Sequence, residues 1–187
     1  IFPFNKELMS ITNYSDLLAC EITHVYDIKQ TGNVNKSTIS FSHRKASSKE
    51  YKIQDFQEIV DDKDSIDVLV VGHLSELNRV TNHNYTKDCI DYCLIYRKMM
   101  ISFDTITNVI LDQFAKKNQA CFNMNIDKIS YDISEKLRII GTPIITVAGT
   151  GSKQGKFSLQ LELRKIFLEN GYAVGQWCTE PQGYLFG

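Results

Sequence analysis

Thr142-Pro143-Ile144-Ile145-Thr146-Val147-Ala148-Gly149-Thr150-Gly151-Ser152-Lys153-Gln154-Gly155-Lys156-Phe157-Ser158 is the stretch on which the reading of this chain turns. An apolar run, 142–148, gives way to a loop of small residues, 149–155. The loop opens into 156–170, where Leu159, Leu163, Ile166 and Phe167 recur at the spacing of one buried helix face. Gly171 stands where a left-handed residue ends a helix, and 172–178 predicts a returning parallel strand. The segment therefore predicts one βαβ unit.

The loop is close to the phosphate-binding pattern GxxxxGK[ST]. Its first glycine, Gly149, lies one place early unless Thr150 takes that role, and the hydroxyl of Ser158 lies one place late. Glycines at 149, 151 and 155 free the backbone to turn its N–H groups inward with no Cβ in the way. The helix that follows aims the positive end of its dipole at the same point. Residues Gly149, Thr150, Gly151, Ser152, Lys153, Gln154, Gly155, Lys156, Phe157 and Ser158 thus form a candidate site for nucleotide phosphates. Lys156 is placed to reach terminal phosphates, and Ser158 to hold Mg2+, with Ser152 or Thr150 as the alternatives. A match of this kind arises by chance in roughly one chain in a hundred of this length, and its position between strand and helix adds weight. The alternative is a glycine-rich turn with an incidental lysine.

Working outward, 179–183 reads Thr-Glu-Pro-Gln-Gly and follows the last predicted strand. Ligands of open α/β sheets gather at the carboxyl ends of strands. Glu180 is accordingly a candidate catalytic group, and Thr179 and Gln182 candidate substrate contacts. A surface Pro-Gly turn is the plain alternative.

Toward the N-terminus, 66–72 and 99–103 are apolar runs of the kind a parallel strand covered on both faces presents. Residues 1–4 and 21–26 predict two more strands. Helices are expected at 6–20, 56–62, 87–98 and 105–117, with a polar loop at 29–49 carrying an edge strand at 37–41. Strands alternating with helices imply an α/β layer with a largely parallel sheet. No GxGxxG occurs, so dinucleotide binding through such a loop is not expected. His73, just past the strand 66–72, is a candidate substrate contact; a loop histidine is the alternative.

The expected organisation is a Rossmann-like α/β domain at 1–118 and a linker at 119–141. The N-terminal part of a P-loop nucleotide-binding domain, incomplete within these residues, is expected at 142–187. Charge is balanced, 21 Lys and Arg against 22 Asp and Glu in 187 residues, which gives no reason to expect nucleic acid or an anionic membrane as partner. No apolar run approaches the ~20 residues of a membrane span, and no secretory signal is read at the start. The expected location is cytoplasmic. Five scattered cysteines without a CxxC pair read as small buried hydrophobes in a reducing compartment. Cys89 and Cys93, one helical turn apart, lack two further ligands at metal-binding spacing.

The run Gly149-Thr150-x4-Gly155-Lys156 resembles the loop of the dethiobiotin synthetase and cobyric acid synthase group of P-loop proteins. Residues 149–162 are similar to the two-domain family of D-glutamate N-acetyltransferase-like proteins, in which a Rossmann-like domain precedes a P-loop domain. Pro3, Phe4, Lys6, Glu7 and Leu8, with the segment 179–183, further resemble peptide maturation system proteins of bacterial natural-product clusters. The resemblance implies an ATP-dependent protein, a transferase or ligase, acting on a peptide or a small amino-acid substrate. In the dethiobiotin-type group such sites phosphorylate a carboxyl or carbamate. An acyltransferase that holds acetyl-CoA by its phosphates is one alternative. A nucleotide-binding scaffold for a precursor peptide is the other. Proteins of this class are often homodimers.

Overall fold

The computed structural model describes residues 1–42, 49–124, 141–151 and 155–186. Among these, five short strands form: β1 (Val25–Asp27), β2 (Ile53–Asp55), β3 (Val68–Val71), β4 (Met99–Ser102) and β5 (Cys121–Asn123). All pairings between them are parallel, β1 with β2 in one sheet and β3 with β4 with β5 in another.

Segment 1–4 runs between the two sheets and hydrogen-bonds to both. The Phe2 N–H donates to the Val70 carbonyl and the Gly72 N–H to the Phe2 carbonyl, each at 2.9 Å. On its other edge the Tyr26 N–H donates to the Ile1 carbonyl at 2.8 Å and the Phe4 N–H to the Tyr26 carbonyl at 2.9 Å. The spatial order is β2, β1, segment 1–4, β3, β4, β5. Counting segment 1–4 as the first strand in sequence, this is the order 3-2-1-4-5-6, consistent with a Rossmann-like, doubly wound sheet.

Successive strand residues point to opposite faces, and both faces are covered. Phe2, Tyr26, Leu69, Val71 and Met100 enter one core with Cys89, Ile90 and Cys93 of α3 (Tyr85–Tyr96) and Phe114 of α4 (Asn108–Lys116). Phe4, Val25, Ile53 and Phe103 enter the other. There they meet Leu8, Ile11 of α1 (Met9–Asn13) and Leu161 of α5 (Lys156–Glu169). Burial on two sides is why 66–72 and 99–103 read as mostly apolar runs. Helix α2 (Ser75–Thr81) fills the connection after β3.

Several expectations are corrected. The helix expected at 6–20 shrinks to α1 and a 3-10 turn at Ser15–Leu17, and 56–62 forms a 3-10 helix at Phe56–Val60. The edge strand at 37–41 is a 3-10 turn, Thr38–Phe41, with a single antiparallel bridge from Ser37 to Lys52. β5 falls inside 119–141, the stretch read as a linker; residues 125–140 lie outside the described residues.

The expected βαβ unit keeps its helix and loses its strands. Residues 142–148 and 172–178 have no ladder partner among the described residues, and they lie open to solvent, with Ile144 69% and Trp177 78% exposed. An apolar run becomes a strand only where a neighbour takes up its backbone hydrogen bonds. The buried face of α5 also differs. Leu161 is fully buried, whereas Leu159 and Ile166 of the expected face are about half exposed. α5 carries apolar residues nearly all round, so periodicity did not select the face that packs.

Candidate functional site

The loop enters α5 through Gly155, at φ +81°, a left-handed backbone that L side chains rarely adopt. Nothing lies within 4 Å of where a Cβ would stand, so glycine is favoured there by conformation, not by crowding. Lys156 opens the helix and folds back, its Nζ donating to the Gly151 carbonyl at 2.6 Å. The ammonium therefore lies between Gly151 and the helix N-terminus, whose first turn holds no acidic side chain. Ser152, Lys153 and Gln154 lie outside the described residues.

Ser158 is exposed, and its carbonyl accepts the Tyr14 hydroxyl at 3.1 Å. Two residues on a helix stand about 200° apart around the axis, so Ser158 and Lys156 leave α5 on opposite sides. That geometry does not favour Ser158 as a ligand to Mg2+ on a phosphate held by Lys156. Among the described residues no group of three or more His, Cys, Asp or Glu side chains is placed to hold a metal ion.

Residues Thr179 and Glu180 are exposed and lead into a 3-10 helix, Pro181–Phe186. This turn sits against the first turn of α5. The rings of Phe157 and Phe186 lie 5.9 Å apart, and a Cβ at Gly183 would fall 1.5 Å from Cys178 Sγ and 3.6 Å from the Phe157 ring. Gln182 is 4% exposed, and its Oε1 is buried without a hydrogen-bond partner among the described residues. Buried polar atoms are rarely left unmade. The fold thus brings 179–183 beside the start of the loop-following helix, as two neighbouring parts of one region.

His73 occupies a second place. It follows β3 at the carboxyl edge of the sheet, beside the point where strand order reverses. The His73 Nδ1 lies 2.7 Å from Asp104 Oδ1, and the other carboxylate oxygen accepts the Leu74 N–H at 2.8 Å. The imidazole also meets the Phe103 ring at 6.2 Å. No hydrogen bond or ring contact joins His73 to 149–158 or 179–183 among the described residues. Sequence reasoning missed Asp104; its only signal was a carboxylate immediately after the strand β4.

Two further groups belong to structure. Asp27, 1% exposed at the end of β1, accepts from the Ile28 N–H, the Thr31 hydroxyl and the Asn33 amide at 2.8–2.9 Å. Those bonds organise the turn after β1, and burial, the largest influence, raises its carboxyl above the ordinary range. Cys89 and Cys93 are buried core residues. Burial pushes the Cys93 thiol up to about 12 and that of half-buried Cys121 up to about 11.

Comparisons with protein-family models, with curated proteins and with solved structures return no match for this chain.

Proposed function

We propose that this chain binds the phosphate groups of a nucleotide at 149–158 and uses it in an ATP-dependent modification of a peptide or amino acid. One observation carries the reading: Lys156, at the first position of α5, folds back so that its ammonium donates to the Gly151 carbonyl beside the helix N-terminus. A terminal phosphate arriving there would take that ammonium from the Gly151 carbonyl. A hydrogen bond to a charged group contributes about 1.5–3 kcal/mol, and the helix N-terminus adds roughly 0.3–1 kcal/mol. Gln182, whose Oε1 is buried without a partner among the described residues, precedes Gly183, which lies against Phe157, so a polar group has an acceptor to meet there if the turn opens. Glu180, exposed just before the same turn, is then the carboxylate offered to a substrate amine.

The reaction is tested by incubating the protein with Mg-ATP or acetyl-CoA and a panel of amino acids and peptides. Nucleoside diphosphate release that requires one of those acceptors supports the reading. Release of free CoA thiol instead selects an acyltransferase that holds its donor by the phosphates. Binding without turnover of either donor selects the scaffold.

A further inference from the structure

The carboxyl edge of the sheet offers a second site, independent of the nucleotide reading. With the order 3-2-1-4-5-6, segment 1–4 and β3 are the neighbours whose connections leave in opposite directions, and the crevice of such a sheet opens beyond their carboxyl ends. The two chain exits lie close together here. A Cβ at Gly72 would stand 3.2 Å from Leu8 Cδ1 and 3.5 Å from Asn5 Nδ2. The next residue is His73, its side chain 41% exposed.

The imidazole is held as an acid–base group is held. A carboxylate only accepts, so the proton of the 2.7 Å contact belongs to His73 Nδ1, and in the neutral ring the lone pair is then on Nε2. Asp104 is itself fixed, because its second oxygen takes the Leu74 N–H at 2.8 Å and its carbonyl takes the Ser102 hydroxyl at 2.9 Å. Nε2 has no hydrogen-bond partner among the described residues. Of the other described histidines, His24 has no open ring nitrogen, its two being engaged by Gln54 at 2.9 Å and Ser65 at 2.8 Å. His83 is paired through Nε2 with Asp88 at 2.6 Å, which leaves Nδ1 as its open nitrogen.

We propose that the His73–Asp104 pair is a general base at the switch point of the sheet, accepting at Nε2 the proton of a hydroxyl or amine group on a ligand seated there. In that step the ligand's O–H or N–H bond breaks, its electron pair stays on the oxygen or nitrogen, and the imidazolium formed is stabilised by the Asp104 carboxylate. A mere loop-fixing role would need the Leu74 N–H to be capped by Asp104 but would not need a basic Nε2.

The test uses the full chain and diethyl pyrocarbonate, a small acylating probe. The Nε2 lone pair attacks its carbonyl carbon, the anhydride C–O bond breaks, and ethanol and carbon dioxide leave. Mass spectrometry then gives a modification rate for each histidine. His73 is expected to react at least roughly tenfold ahead of His24, both of whose ring nitrogens are engaged. Asp104→Asn keeps an oxygen for the Leu74 N–H but presents an amide N–H to Nδ1, which moves the ring proton to Nε2; the His73 rate should fall roughly tenfold with the fold retained. Nitrogen-15 spectra of the imidazoles in the unsubstituted protein should show His73 protonated on Nδ1. A proton on Nε2 in those spectra, a His73 rate no greater than that of His24, or a folded Asp104→Asn protein with an unchanged His73 rate would each overturn the proposal.

Discussion

Tyr14 donates its hydroxyl to Glu162 Oε1 at 3.1 Å across 148 residues of sequence. The same hydroxyl meets the Ser158 carbonyl at 3.1 Å, and an ion pair between Lys165 and Asp16 lies farther along the helix. Between these polar contacts Leu161 is fully buried against the sheet. The helix that carries Lys156 is therefore anchored on the parallel α/β layer, and its N-terminus is presented from a fixed base.

Leu161→Ala should destabilise the protein by about 2–5 kcal/mol, the cost of emptying a buried leucine site. Urea unfolding followed by circular dichroism measures it. A loss below about 0.5 kcal/mol, the level of a surface change, would mean that α5 is not docked as described.

Two glycines near the loop should respond differently to alanine. At Gly155 the new Cβ meets nothing, so only the left-handed backbone is strained, at about 1–2 kcal/mol. At Gly183 the Cβ would overlap Cys178 Sγ, so the cysteine must move. Gly183→Ala should accordingly speed iodoacetamide labelling of Cys178, while Gly155→Ala should leave it unchanged. Equal labelling in both variants would contradict the contact.

Thiol reactivity should follow burial. Cys20 is exposed and should label first. Cys93, pushed up to about 12 by burial, is ionised in about one molecule in ten thousand near pH 8 and is shielded as well. Iodoacetamide followed by peptide mapping should find Cys89 and Cys93 unmodified until denaturant is added. Labelling of Cys93 at the rate of Cys20 would refute the core placement.

Asp27 should make a measurable pH signature. Burial raises its carboxyl in the folded state despite three hydrogen bonds. A raised folded value means its favourable contribution is complete below the unfolded value, about 3.9, and fades as pH climbs through the folded one. The stability of the unsubstituted protein minus that of Asp27→Asn should therefore fall with rising pH in this acid window and level off above it. A difference that rises with pH would mean the three donors outweigh burial.

Part of this was legible in the chain. The runs 66–72 and 99–103 announce β3 and β4 because both of their faces are covered, so they are mostly apolar, with Asp67 and Ser102 the exceptions. β2 and β5 are three residues long and carry Gln54 and Asn123, too short a signal for a run or an alternation to emerge. The loop was found from Gly149, Gly155 and Lys156, since its chemistry is local in sequence. Asp104 was not, because its meaning comes only from His73, 31 residues earlier, on the neighbouring strand. The strands expected at 142–148 and 172–178 failed for a related reason. Their composition suits a sheet, but pairing is a property of neighbours, and none is at hand among the described residues.

The central claim is that Lys156 and the loop at 149–155 hold nucleotide phosphates. Calorimetric titration of the folded protein with Mg-ATP, beside Lys156→Ala, tests it most directly. The account predicts saturable binding that Lys156→Ala weakens by roughly 10- to 150-fold, the equivalent of one charge-assisted hydrogen bond. Binding of equal strength in both proteins, or none by folded protein, would contradict it.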